Sequence, residues 1–152
     1  MVDAVKIKVG GLLRLVRAVD EPFTKGSRLA IGGHYGLQPT AYPAAAGVAN
    51  AVILNVIRQL CLAYGPRGVT AHTIVPGPAD NERLHRIAVE RAAQRGCAPS
   101  DVLAELRAES AIGALTTPEQ VAWAIATFLA PEADAMTGSA FMPDAGRRRT
   151  IC

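Results

Sequence analysis

The run from Ala44 to Tyr64 constrains this chain more than any other feature. Ala49, Val52, Ile53, Val56, Ile57 and Leu60 recur at helical spacing, and only Asn50, Asn55, Arg58 and Gln59 interrupt them. Gly65-Pro66 stops the helix, because proline cannot continue it. A helix apolar on most sides has to be covered on most sides. One side therefore needs a sheet, and the other needs a second helix from this chain or a partner. The longest apolar stretch within it, Ala44 to Ile57, is broken by Asn50 and Asn55 and followed by Arg58. It is too short and too polar for a membrane span, so a core helix is expected.

The rest of the pattern supplies the sheet. Val5, Val9, Leu12, Leu13 and Val16 predict a helix over about 4–19. Arg28 to Ile31 predicts a short strand ended by Gly32-Gly33. A loop carrying His34, Tyr35, Gly36, Pro39, Tyr42 and Pro43 follows it. Val69 to Val75 is rich in β-branched residues and reads as a second strand, ended by Pro76-Gly77-Pro78. Asp80 is expected to cap a helix running to Arg95, and Ser100 a shorter helix to Glu109. Thr117-Pro118-Glu119-Gln120 has the form of a capping box, opening a helix to about Leu129. Gly138 to Met142 reads as a third strand. This alternation predicts an α/β fold: one parallel sheet of about three strands with flanking helices.

With 152 residues the chain suits one domain. Its net charge of +3 is mild, and only Arg147-Arg148-Arg149 clusters basic charge. So short a run reads as a solvated tail, and no nucleic-acid partner is expected. Cys61, Cys97 and Cys152 form no CxxC pair. His34, His72 and His85 have no ligand spacing, so no metal is expected. No secretory signal pattern opens the chain, and a reducing, cytoplasmic location without a membrane is the expectation.

Several segments, in order, resemble the later part of a short-chain dehydrogenase/reductase. Arg28-Leu29-Ala30-Ile31-Gly32-Gly33 resembles the family's strand ending in NISS, and Gly36-Leu37-Gln38-Pro39 the loop after it. Tyr64 to His72 resembles L-x-P-x-G-I-R-V-N, and Val75-Pro76-Gly77 the family's PG turn. Leu115 to Ala122 resembles x-G-T-P-E-E-V-A. Met136-Thr137-Gly138 and Asp144-Ala145-Gly146 resemble I-T-G and D-G-G. The family's T-G-x-x-x-G-x-G turn and its NNAG segment are absent. The resemblance thus implies a partial Rossmann-like, doubly wound domain over 1–152, lacking the dinucleotide-binding half. Residues 1–64 would be helix, strand and helix; 65–152 would be strand, helical lid region, helix and strand.

Hydride transfer to a carbonyl needs an acid for the developing alkoxide. The family uses a Tyr, with a Lys one helical turn on that lowers its pKa, a Ser that positions the carbonyl and an Asn that supports the proton relay. Aligned on Gly65-Pro66-Arg67-Gly68, the Ser, Tyr and Lys positions fall on Gly33, Ala46 and Asn50, and the Asn position near Lys8. Tyr42 and His34 are the available substitute acids, each with an ordinary loop role as the alternative. Pro76 and Gly77 are the remnant of a cofactor site, and a plain strand-ending turn explains them equally well. Asn81 stands where the family often has Thr. The resemblance implies NAD(P) as cofactor, with binding by this chain alone in question. It also implies a homo-oligomer through helix 44–64 and the first helix, or pairing with a related chain. The expected function is that of an oxidoreductase relative without its own chemistry, acting through association. The alternative is an NAD(P)-dependent oxidoreductase whose cofactor-binding half is supplied by another chain or lost from the gene as read.

Overall fold

In a computed structural model of the protein, the residues described are 2–32, 36–37 and 44–148. Five α-helices and three strands follow in the order α1 (Val2–Ala18), β1 (Arg28–Gly32), α2 (Ala44–Tyr64), β2 (Thr70–Ile74), α3 (Glu82–Arg95), α4 (Pro99–Ala108), α5 (Pro118–Thr127) and β3 (Ala140–Phe141). Short 3-10 turns cover Gly65–Arg67 and Pro131–Met136. The strands form one parallel sheet in the order β1-β2-β3, with Arg28 opposite Thr70 and Thr73 opposite Ala140. The expected α/β fold is therefore present, with β3 shorter than the sequence suggests.

The chain divides into two compact units: Met1–Val75 with Ala124–Phe141, and Pro76–Trp123 with Met142–Cys152. In the first unit, α2 buries a single stripe: Ala49, Asn50, Ile53, Ile57, Leu60 and Cys61. Ile53, Ile57, Leu60 and Cys61 cluster with Leu12 and Val16 of α1 and with Ala71 of β2. Within the single chain the cover of α2 is one-sided, and cover by a partner is a separate expectation. Val48 and Leu62 on α2, and Ile7 and Leu15 on α1, stay exposed. By length and composition Ala44–Arg67 is apolar enough to cross a membrane, but its buried stripe is the core of this unit.

All of β2 is buried. Side chains alternate across a strand: Ala71 meets the α1–α2 cluster, while His72 lies against the Phe128 ring at 4.6 Å between centroids. Phe128 in turn meets Phe141 edge-on. The link from α1 to β1 is tied down by Arg67. Its guanidinium pairs with Asp20 at 2.7 Å and donates to the Asp20 and Phe23 carbonyls. Hydrogen bonding from Arg67, and secondarily from Tyr64, holds the Asp20 carboxyl below its ordinary range.

The second unit is held differently. α3 and α4 meet through Ala88, Ala92, Val102, Leu106 and Leu115. Arg95 also grips Glu105 with two hydrogen bonds of 2.7 and 2.6 Å, which keeps the Glu105 carboxyl ionised below its usual range. Two expected caps are corrected. Asn81, not Asp80, caps α3: its Oδ1 accepts from the Leu84 N–H at 3.0 Å, leaving Asp80 to pair with His85. α4 starts at Pro99, where Asp101 Oδ2 accepts from the Ala98 N–H, so Ser100 lies inside the first turn. The Thr117–Gln120 capping box forms as expected. Arg147 is not part of a solvated tail. It is buried and paired with Glu109, while Asp144 accepts from the Gly146 and Arg148 N–H groups. Arg149 lies outside the described residues.

Candidate functional site

In a parallel sheet, ligands gather at the carboxyl ends of the strands, where loops lead into helices. In the first unit that end is the passage from β1 into α2. Gly36 packs directly on the α2 backbone there: a Cβ on it would lie 2.6 Å from Asn50 C and from Ala51 N. Only glycine allows that approach. The second turn of α2 is thereby fixed at the end of β1, and with it Asn50, which is 4% exposed.

The residues expected at the family's catalytic positions come together in part. Ala46 is half-buried on the first turn of α2, one turn before Asn50. Lys8 reaches over from α1, and its Nζ donates to Asn50 Oδ1. The lysine and the asparagine at this end of the sheet thus sit in contact, with lysine on the first helix and asparagine on the second. Gly33, His34, Tyr35 and Tyr42 lie outside the described residues. Ala46 has no proton to exchange, and the Asn50 amide carries no charge.

In the second unit, Pro76-Gly77 leads from β2 towards α3. A Cβ on Gly77 would meet Asp144 Cα at 3.0 Å and Thr116 Oγ1 at 3.1 Å. The Gly77 N–H donates to the Pro143 carbonyl at 3.1 Å, and Thr116 Oγ1 donates to the same carbonyl at 2.8 Å. The glycine is needed for the chain's own packing, whatever else binds nearby. Asn81 spends its side-chain oxygen on the α3 cap. Among the described residues no glycine-rich turn runs from a strand directly into a helix. No pyrophosphate cradle of the dinucleotide type is therefore formed by them.

The basic side chains of α3 are largely engaged. His85 Nε2 lies 2.7 Å from Asp80 Oδ1, Arg86 is 3.9 Å from Glu82, and Arg95 holds Glu105. Among the described residues no group of three or more His, Cys, Asp or Glu is placed to hold a metal ion. Two features escape sequence reading. His72 is wholly buried, with neither ring nitrogen in a hydrogen bond of good geometry. Arg28 pairs with Asp134 at 2.7 Å, across 106 positions of chain. The β-branched run of β2, set between helices, is the signal for a strand buried at position 72; no local signal announces the Arg28 pair.

Comparison with known proteins gives one consistent result. A family model described as enoyl-(acyl carrier protein) reductase matches residues 1–148. The short-chain reductase protein NovJ of Streptomyces niveus is 29% identical over 93% of this chain and 53% of its own length. The 2-(S)-hydroxypropyl-CoM dehydrogenase 3 of Xanthobacter autotrophicus is 30% identical over 80% of this chain and 46% of its own. A short chain dehydrogenase family protein from Francisella tularensis has the same fold, with a TM-score of 0.89 at 15% identity over 94% of this chain and 60% of that one. An NADPH-bound short chain oxidoreductase from Pseudomonas aeruginosa, described as containing an atypical catalytic center, gives 0.83 at 22% over 98% and 57%. At these identities the solved structures show the fold alone. The chain spans about half the length of the curated relatives it matches.

Proposed function

Since the chain belongs to the short-chain dehydrogenase/reductase family, we propose that it is a relative of these oxidoreductases that is non-catalytic on its own and acts through association. One observation carries this reading. The position expected to donate a proton is Ala46, and the position expected to activate it is Asn50, whose amide is occupied by Lys8. A methyl group cannot protonate an alkoxide, and a neutral amide cannot lower a phenol's pKa. Association is supported by Ile7, Leu15, Val48 and Leu62, which leave apolar surface on the two helices expected to meet a partner. A second copy of this chain is the proposed partner, and the cytoplasm the proposed location.

Two measurements test the reading. Light scattering at micromolar concentration is expected to give a dimer or larger, and Leu62→Glu to shift it towards monomer. A wild-type monomer across that range removes the association. Calorimetry with NADH and NADPH, followed by a ketone-dependent oxidation assay, is expected to give neither binding nor turnover. Sustained ketone reduction by this chain would overturn the inactive assignment, and Tyr42→Phe would then test the substitute acid.

A second reading has its own support. β1 has β2 on one side only among the described residues, and the relatives are about twice as long. An NAD(P)-dependent oxidoreductase whose cofactor-binding half comes from another chain fits both facts. The Pseudomonas aeruginosa neighbour pairs bound NADPH with an atypical catalytic center, so in that protein an atypical center and cofactor binding go together. A strand-GxxxGxG-helix pattern in the DNA just upstream would favour this reading, and its absence would disfavour it.

A further inference from the structure

We propose that the first unit carries a second ligand site, at the amino ends of β1 and β2, that binds the carboxylate or phosphate head of a small molecule. A cavity of about 600 Å³ opens there, within the size range of small-ligand sites. Lys25, Arg28 and Thr70 line one side; Pro131, Asp134 and Thr137 line the other. It lies at the opposite end of the strands from Ala46 and Asn50, so it is separate from the candidate site described above.

The cavity is a built feature. Arg28 and Thr70 are register partners in adjacent strands, so their side chains leave the sheet on the same face. Arg28 is fixed at both guanidinium tips: Nη1 donates to the Gly26 carbonyl at 2.5 Å and Nη2 to Asp134 at 2.7 Å. Its Nε is buried with no hydrogen-bond partner. Thr70 is 7% exposed, and its Oγ1 is also buried without a partner. Buried polar groups are normally satisfied, and leaving one unpaired is costly. Both belong to residues that line this one cavity, which marks its wall as a place for a ligand's polar atoms.

The wall around them is pre-set. Gly26 N–H donates to the Gly68 carbonyl at 2.9 Å, and Thr70 N–H to the Ser27 carbonyl at 3.1 Å. The Lys25 stem lies where a side chain at position 68 would be, with a Cβ there only 2.7 Å from Lys25 Cγ. On the far side, Thr137 Oγ1 accepts from the Ala71 N–H at 3.1 Å, which holds the turn after Pro131–Met136 against β2.

The chemistry of the lining selects the ligand. Arg28 Nε–H can only donate, the Thr70 hydroxyl donates or accepts, and the Lys25 ammonium only donates. Two cations line the cavity against one carboxylate, Asp134, which Arg28 already engages. A cation would meet net repulsion, and an apolar molecule would leave the donors unmet. An oxyanion satisfies them with charge-assisted hydrogen bonds, while Val69 and Pro131 offer apolar surface to the rest of the molecule.

The test is an NMR titration of the whole chain at constant ionic strength, with inorganic phosphate, methyl phosphate and acetate in separate arms and chloride as the control. Saturable shifts centred on the amides of Gly26, Gly68 and Thr70 are expected, and the arms show which head group is preferred. Thr70→Val and Lys25→Gln are each expected to weaken binding roughly three- to tenfold while leaving the thermal midpoint near wild type. Three results would overturn the site. The shifts fail to saturate with all three anions, they scatter over the chain's lysines and arginines, or both variants bind as wild type.

Discussion

The two units keep their shape by different means. In the first, cohesion comes from the apolar cluster of Leu12, Val16, Ile53, Ile57, Leu60 and Ala71 on one face of the sheet and from Phe128 against the other. In the second, polar groups carry much of it: Asn81 on α3, Asp101 on α4, Thr117 on α5, Asp144 on its own turn, and the Arg95–Glu105 and Arg147–Glu109 pairs. Polar positions therefore mean different things in the two. Ala46 is half-buried and brings no polar group to the core, whereas Asn50 lies in the buried stripe of α2 and ties Lys8 of α1 to it. Gly77 sits where Thr116 and Asp144 close on it, so the Pro76-Gly77 turn has a structural duty that would keep it even with no cofactor. A motif that persists in this chain is best explained first by what it packs against.

The sharpest way to break this contrast is to open the first core. Ile57 is 1% exposed at the centre of the α1–α2–β2 cluster. Ile57→Ala is expected to cost about 2–5 kcal/mol, read from urea unfolding, with lost amide protection in α1, α2 and β2. A cost below about 1 kcal/mol would mean that the cluster does not carry this unit.

The two closely packed glycines sharpen the comparison next. At Gly36 an added methyl would overlap backbone atoms of α2 at 2.6 Å, which side-chain motion cannot relieve. At Gly77 the nearest atoms are at 3.0 and 3.1 Å, and Thr116 can give a little. Gly36→Ala is therefore expected to destabilise by about 1–3 kcal/mol, and Gly77→Ala by less. The reverse order, in parallel urea titrations, would show that the second unit is the tighter of the two at its strand end. Thr117→Ala follows in size. It removes the hydroxyl that accepts from the Gln120 N–H at 3.2 Å and is expected to cost about 1 kcal/mol. Thr117→Ser should restore most of that, which separates the cap from general packing loss.

Legibility followed the range of the interaction. The α/β alternation, the Gly65-Pro66 stop, the Thr117 box and the order of the strands all rest on neighbours within a turn or two, and these were readable in the residues. The caps of α3 and α4 shift by a position or two, because Asp80-Asn81 and Ser100-Asp101 offer competing oxygens and only packing chooses between them. What had no local signature is long-range. Arg28 finds Asp134, Arg147 is drawn inward by Glu109, and Lys8 crosses to Asn50. How α2 is covered is long-range in the same way. Composition gives the apolar faces of a helix but not which of them its own chain covers, and Val48 and Leu62 are left in solvent.

The smallest expected effect concerns His72. Its ring is fully buried against Phe128 in the first unit, and neither nitrogen has a hydrogen bond of good geometry, the Met136 backbone lying near it as a weak acceptor. Burial pushes its pKa below the ordinary value of 6.5; Arg28 adds to this, while the Met136 backbone and Asp134 pull the other way. The folded chain therefore holds His72 neutral where the unfolded chain begins to take up a proton. Where the unfolded state binds more protons, stability rises with pH. The neutral ring's contribution is thus complete above pH 6.5 and is lost as the pH falls through and below that value. The slope should be a fraction of the roughly 1.4 kcal/mol per pH unit that one fully coupled proton sets as the limit. Urea midpoints at pH 7.5 and 5.5 are expected to show the wild type losing stability on acidification, and His72→Asn, which cannot titrate there, losing less. The Asp20 and Glu105 carboxyls, held below their ordinary values by Arg67 and Arg95, contribute only at lower pH and leave this window clear. Equal losses in wild type and variant would mean that the ring accepts its proton in place, and the first unit's core would then tolerate a charge that its apolar packing should exclude.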